Sequence, residues 1–312
     1  MTTLMSAYFQ YSLRCCLLSL LLFSSLITAV NACDQQKADA LVLQTFDMTL
    51  KNNPSRQQDL LQNALRHCAN HPEALNNLGV LSENQGNLSQ ALHYYQQALA
   101  AKPDFAYAWL GLGDVYQKQG QLPRALEAYL NACEQDNDAK QAVVKLLKKQ
   151  RYRMIEQGQV LDKESLLALY DPVRHQAILT KTKRCGFKAR LAVKPSAVFR
   201  NFQFATGASI LPSSAVAQLK EIAAALQSLK QAVQIDGHTD RRLFRGKSQR
   251  ESDRLNRRLS QERANTIKQA LIEQGIDENR LHSRGFGADQ PLVQHDSEEA
   301  YAQNRRVEIK LR

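Results

Sequence analysis

Two residues in the C-terminal half have side chains suited to gripping a small charged ligand. Asp240 closes a short apolar run, Ile235-Asp236-Gly237-His238-Thr239-Asp240, and Arg263 lies in the polar segment that follows. A carboxylate at the end of a strand can receive a cation or cap its own turn. An arginine fork can hold a carboxylate with two bonds or form an ordinary surface salt bridge. Residue types alone leave both choices open. Reaction chemistry has no such foothold. No Ser/His/Asp or Cys/His set stands in a nucleophile context. No pair of carboxylates has the pattern of glycan cleavage, and no glycine-rich phosphate cradle is present. His238 has no second His or Cys at metal-ligand spacing. The expectation is binding without catalysis, with no cofactor and no metal.

The formal net charge of +11 points to anionic partners, nucleic acid first among them. The N-terminus argues otherwise. Arg14 precedes the uncharged run Cys15–Ile27, and Val30-Asn31-Ala32 has the small-x-small form that signal peptidases cut. The run is short for a membrane span. Residues 1–32 are therefore predicted to be a signal peptide, with an uncleaved anchor as the alternative. Both readings send the remainder out of the cytoplasm, which removes nucleic acid as a partner. The expected location is the periplasm, at the cell wall.

Cys33 follows the cleavage site directly. A cysteine there can be lipidated, which would make the chain an outer-membrane lipoprotein, although Asn31 is awkward in a lipobox. Four cysteines remain in the mature chain: Cys33, Cys68, Cys133 and Cys185. An even number in an oxidising compartment reads as two disulfides. Cys33 begins the first predicted helix and Cys68 ends the second, so an antiparallel hairpin would bring them together. That pairing leaves Cys133–Cys185. Lipidation of Cys33 would leave Cys68 without this partner.

The elements that must carry these residues differ between the two halves. Leu75, Leu78, Gly79, Gly86, Ala91, Tyr95 and Ala98 recur as Trp109, Leu112, Gly113, Gly120, Ala125, Tyr129 and Ala132, a step of 34 residues. This period and these residue types resemble the tetratricopeptide repeat, a stack of helical hairpins. Gly79 and Gly113 are expected to let helix backbones approach, and Gly86 and Gly120 to take left-handed turns. A weaker unit spans residues 38–71, and residues 139–151 read as a capping helix with lysines outside. Such arrays form a concave groove for peptides or proteins. Asn76, Asn77, Tyr94, Tyr107 and Asp114 are candidate groove residues, equally readable as solvated surface. An unidentified protein partner is expected there, with a plain spacer as the alternative.

Residues 151–195 carry no repeat and are assigned as a connector, with one short helix at 165–170. Beyond them the pattern becomes strand, helix, strand, helix, strand, strand. The strands are placed at 198–204, 232–236, 280–285 and 307–311, and the helices at 212–229 and 254–274. This predicts an α/β sandwich with helices on one face of a mixed sheet, over residues 196–312. The predicted fold class is thus α + α/β, a helical-hairpin array over 33–150 followed by a β-α-β-α-β-β domain.

Phe202-Gln203-Phe204, Ile235-Asp236-Gly237-His238-Thr239-Asp240, Asn256…Leu259-Ser260…Arg263-Ala264, Gly285-Phe286-Gly287 and Asn304-Arg305-Arg306-Val307-Glu308-Ile309 stand in order. Together they resemble the OmpA C-terminal-like family of peptidoglycan-associating domains. The resemblance implies non-covalent binding of the peptide stem of peptidoglycan, through diaminopimelate where the wall contains it. It assigns Asp240 to the ammonium and Arg263 to the carboxylate of that side chain. Asn256 and Leu259 would shape the pocket, and Thr239 would add a hydroxyl. Arg305, Arg241 and Arg242 are secondary candidates, with Asn304, Arg305 and Arg306 bracing the wall of the site.

Two departures from the family pattern stand out. The segment 241–255 is about twice the usual length and strongly basic. It could clamp the wall polymer, touch acidic lipid headgroups or block the pocket, or it could be a solvated loop. Ala205 stands where relatives carry a polar or acidic residue. The resulting expectation is a wall-binding adaptor and not an enzyme. The alternative is an envelope scaffold whose C-terminal domain has lost the wall, and outer-membrane association is a further option.

Overall fold

The computed structural model describes residues 33–47, 53–156, 158–187, 194–200, 202, 204, 209–211 and 213–311. The predicted signal peptide and Ala205 lie outside these residues. Among the described residues no helix is long and apolar enough to cross a membrane.

The N-terminal array is three helical hairpins and a cap. The first pairs α1 (Gln35–Gln44) with α2 (Pro54–His67), the second α3 (Pro72–Asn84) with α4 (Leu88–Ala101), and the third α5 (Ala106–Lys118) with α6 (Leu122–Ala132). Helix α7 (Asn137–Leu147) caps the stack, leaving Lys140, Lys145 and Lys148 exposed. Gly86 and Gly120 take positive φ values of 79° and 75°, as the turns after α3 and α5 require. Gly79 and Gly113 do a different job from the one expected. A Cβ at either would collide with the ring of Tyr95 or Tyr129, not with a helix backbone. The glycines make room for these two fully buried tyrosines. Each hydroxyl then reaches a carboxylate at the rim, Tyr95 to Glu83 at 2.8 Å and Tyr129 to Asp114 at 2.7 Å.

Both expected disulfides are present. Cys33 joins Cys68 with Cα atoms 4.4 Å apart, and Cys133 joins Cys185 at 5.7 Å. The first closes the open end of the α1–α2 hairpin, where the Asp34 N–H also donates to the His67 carbonyl at 3.0 Å. With Cys33 Sγ in this bond, it cannot also carry a thioether-linked lipid.

The connector is more structured than its sequence suggests. A 3₁₀ turn (Lys148–Arg153) leads into strand β1 (Met154–Ile155), and helices α8 (Lys163–Tyr170) and α9 (Pro172–Arg184) follow. Strand β1 pairs in parallel with β2 (Ser196–Phe199), so the sheet starts inside the connector. The segment is strapped on both sides. Arg174 on α9 pairs with Glu127 on α6, and the Cys133–Cys185 bond ties the ends of the same two helices. On the other side the Tyr170 hydroxyl donates to the Ile309 carbonyl at 3.0 Å. One continuous buried apolar cluster runs from Leu75 through Leu166 and Leu169 to Ile309. Burying that surface holds the array and the C-terminal domain together.

The C-terminal domain contains β2, α10 (Val216–Gln227), β3 (Val233–Gly237), α11 (Gln249–Glu273), β4 (Leu281–Gly285), α12 (Glu298–Asn304) and β5 (Val307–Leu311). The sheet order is β1-β2-β5-β3-β4, with β5 antiparallel to both neighbours and β3 parallel to β4. Three elements were not expected, β1, α9 and α12. Helix α11 also starts five residues early, because Ser248 and Glu251 form a capping box. The basic loop beside the proposed pocket therefore shrinks to residues 241–247.

Candidate functional site

Two glycines set the site. A Cβ on Gly237 at the end of β3 would strike the Ser260 carbonyl, and one on Gly285 at the end of β4 would strike the Gln261 backbone. Without side chains there, α11 lies directly on the sheet ends. The contact is then stitched by hydrogen bonds: Gly285 N–H to Gln261 Oε1 and Gly287 N–H to Ser260 Oγ, both at 2.8 Å. This seating brings Asn256, Leu259 and Arg263 of α11 beside the turn that leaves β3.

That turn carries Thr239 and Asp240. The Thr239 N–H donates to the Gly287 carbonyl at 2.9 Å, fixing the turn to the β4 end. All five expected residues, Thr239, Asp240, Asn256, Leu259 and Arg263, line one cavity of about 350 Å³. Phe204, Arg242, Leu243, Phe244, Arg245 and Arg305 complete its walls. The guanidinium of Arg263 lies 5.1 Å from the ring centre of Phe204. Burial pulls the pKa of Arg263 down to about 10, with Arg305 adding to this and Asp240 opposing it. It stays protonated at neutral pH. The hydroxyl of Thr239 is buried and has no hydrogen-bond partner.

Asp240 is already engaged. Its Oδ1 accepts from the Arg242 N–H at 3.0 Å and Nε at 3.3 Å. Its Oδ2 accepts from Arg242 Nη2 at 3.0 Å and Arg305 Nη1 at 2.7 Å. An ionised carboxylate has about four acceptor positions, and four donors are in place. Burial would raise the pKa of Asp240, but the hydrogen bonds from Arg242 and Arg305 hold it below the ordinary 3.8. Asp240 thus caps its own turn and faces a cavity at the same time.

The secondary candidates separate. Arg305 and Arg242 both reach Asp240, whereas Arg241 turns away. Its guanidinium bonds Asp296 and the Gln294 carbonyl, and it lines a neighbouring cavity with Pro291 and Val293. The Asx turn at Asp240 sends consecutive side chains to opposite sides. Asn304 and Arg306 are braces. Asn304 Oδ1 accepts from the Leu292 and Val293 N–H groups, and Arg306 binds Glu308 at 2.7 Å and the Gln290 carbonyl at 3.1 Å. His238 lies behind the turn, stacked 5.3 Å from Phe286. Burial, helped by Arg306, lowers its pKa to about 3, so it is neutral and forms no ion pair with Glu308 at neutral pH. Phe244, Arg245 and Arg305 deepen the cavity. The sequence signal for Phe244 and Arg245 was only the length of the inserted segment.

Residues 203–305 match the OmpA family. Residues 76–140 match a tetratricopeptide repeat model, so the repeats precede the OmpA-family domain. The Probable lipoprotein YiaD of Escherichia coli is 38% identical over 112 residues, 36% of this chain and 48% of that protein. The Peptidoglycan-associated lipoprotein of Pseudomonas aeruginosa is 32% identical over 109 residues, 35% of this chain and 60% of that one. The chain thus spans about half the length of these relatives. Among solved structures, the cell wall anchor of the T6SS from Pseudomonas aeruginosa is 31% identical over 36% of this chain and 78% of that one, with a TM-score of 0.32.

Proposed function

We propose that the OmpA-family domain binds the peptide stem of peptidoglycan without cutting it, and that the repeats hold a protein partner at the wall. The protein is periplasmic and wall-associated. One observation carries the reading. A buried carboxylate, a buried guanidinium and an unpartnered buried hydroxyl line a single small cavity. Diaminopimelate presents an ammonium and a carboxylate on one short side chain, the complement of Asp240 and Arg263. A volume of about 350 Å³ suits such a side chain rather than a glycan strand. The match of the same region to the OmpA family, and of its length to a peptidoglycan-associated relative, supports the reading. Binding of this kind needs no catalytic residue.

An incoming ammonium must first displace Arg242 from Asp240. The Arg242 side chain is 43% exposed and already touches Glu298 at 3.0 Å, so it has a second anchor when it leaves. The closed state of Asp240 also favours one rival, a scaffold whose domain no longer reads the wall. Sedimentation with purified sacculi separates the two. The chain from Cys33 onward should pellet, while Asp240→Ala and Arg263→Lys stay soluble. The lysine keeps the charge and loses the fork. If wild type and Arg242→Ala both remain in the supernatant, the scaffold reading replaces this one. A zymogram on the same sacculi should show no clearing.

A further inference from the structure

A cavity of about 1130 Å³, larger than the 350 Å³ pocket of the OmpA-family domain, lies in the array. Its walls come mostly from α1, α3 and α5, the first helices of the three hairpins, with Tyr95 and Lys102 added from α4 and its end. Asn76, Asn77, Tyr107 and Asp114 line it, as expected for groove residues. Tyr94 does not, because it packs against the hydrophobic cores instead.

Three features of this groove converge. Its surface is unusually apolar: Leu43, Phe46 and Tyr107 are 70%, 68% and 63% exposed. Lone exposed apolar side chains need no explanation, but several lining one groove mark a contact surface. Its charge is negative in a chain that is strongly positive. Asp39, Glu73, Glu83 and Asp114 line it with one cation, Lys102, which is already 3.7 Å from Glu73, and Lys118 at its edge holds Glu83 at 2.8 Å, so four carboxylates stand against two lysines. Its acceptors outnumber its donors. Asn76 is only 8% exposed, and its Nδ2 donates to Asn77 Oδ1 at 3.2 Å. The Asn76 Oδ1 has no partner at all. This oxygen is itself buried, so it adds to the excess of acceptors beneath the groove surface.

We infer that the groove takes a short segment of a partner protein that carries large apolar anchors beside lysine or arginine. Its backbone runs along the polar row of Asn76 and Asn77. Its cations face Asp39 and Asp114, and its apolar side chains cover Phe46 and Tyr107. An acidic or phosphorylated peptide would meet four carboxylates and is disfavoured. The inference rests on the reading that the array holds a protein partner, and names the chemistry of that partner.

The test uses the full chain from Cys33 onward and fluorescent synthetic peptides in three matched sets. Each set has the same Leu and Phe anchors, combined with Lys and Arg, with Asp and Glu, or with Ser. Anisotropy should show the basic set binding at least about tenfold more tightly than the others, and weakening as salt rises. Asp114→Asn keeps an acceptor for the Tyr129 hydroxyl, and Tyr107→Ser alters an exposed residue, so both variants should fold. Each should weaken the basic set by about fivefold or more while leaving sacculus sedimentation unchanged. Equal binding of all three sets would overturn the charge assignment and leave the partner reading standing. If no set binds, the partner reading fails as well.

Discussion

The groove of the array and the pocket of the OmpA-family domain are built on opposite plans. Residues 33–150 carry 11 Lys and Arg against 12 Asp and Glu, while residues 196–312 carry 19 against 14. The groove is wide and apolar and leaves the Asn76 acceptor unused. The pocket is small and cationic, and its one carboxylate is already filled by Arg242 and Arg305. The difference teaches where selectivity resides. An open, donor-poor groove selects by charge and apolar fit. A closed pocket selects by requiring that a ligand outcompete the protein's own guanidinium. The overall charge of +11 describes neither site.

The sharpest break of this comparison removes one site and spares the other. Gly237→Val puts a branched side chain against the Ser260 carbonyl, which cannot move without lifting α11. Destabilisation of the C-terminal domain by about 3 kcal/mol or more is expected in urea titration. Sacculus binding should vanish, and peptide binding by the array should persist to the extent that α8 and α9 stay seated.

A pH titration acts on the same domain a little less strongly. Glu308 sits between Arg306 and Lys310, at 2.7 and 3.1 Å. Burial alone would raise its pKa, but these two cations bring it from 4.5 to about 2. A depressed folded-state value means that its contribution is complete above pH 4.5 and is lost as pH falls toward 2. A loss of about 3 kcal/mol is the upper expectation over that window. Glu308→Gln should flatten the acid limb of the stability curve and leave the array unaffected.

Reduction sharpens the comparison from the other side. Cys33–Cys68 closes a separation of 35 residues within the array alone. Breaking it by Cys68→Ser should destabilise the first hairpin by about 2–4 kcal/mol, read by hydrogen exchange over α1 and α2. The groove should loosen, because Val42 and Phe46 on that hairpin line it, while sacculus binding should not change.

Much of this was legible in the sequence, for identifiable reasons. The 34-residue step recurs because each hairpin must bury the same face, and Tyr95 and Tyr129 lie at equivalent positions in the core. The strands of the OmpA-family domain are legible because Val233, Ile235, Val307 and Ile309 alternate with side chains on the other face of the sheet. Strand β1 was not legible: two residues pair only because β2 is there to receive them. Helix α12 and the early start of α11 have local signals in their capping residues. Ser297 accepts from the Ala300 N–H, and Ser248 with Glu251 forms the capping box. The site residues came from ordered motifs, but the occupancy of Asp240 did not. Which of Arg241 and Arg242 turns inward depends on the turn that Asp240 itself makes, a tertiary fact with no periodic trace.

Arg242→Ala has the smallest expected effect and addresses the closed state directly. Removing the internal competitor should tighten binding to sacculi by roughly 1 kcal/mol, about fivefold, because Arg305 still holds Asp240 ionised. Unchanged or weaker binding would mean that Arg242 belongs to the ligand's contacts and does not compete with them.

The central claim is tested most directly by calorimetric titration of a soluble stem peptide containing diaminopimelate into the full chain, beside Asp240→Ala and Arg263→Ala. Removing one partner of a buried charged contact should cost about 2–5 kcal/mol, so binding should be seen for wild type and fall at least about thirtyfold in each variant. Equal affinity in all three proteins would contradict the assignment of Asp240 and Arg263 as the pair that reads the wall.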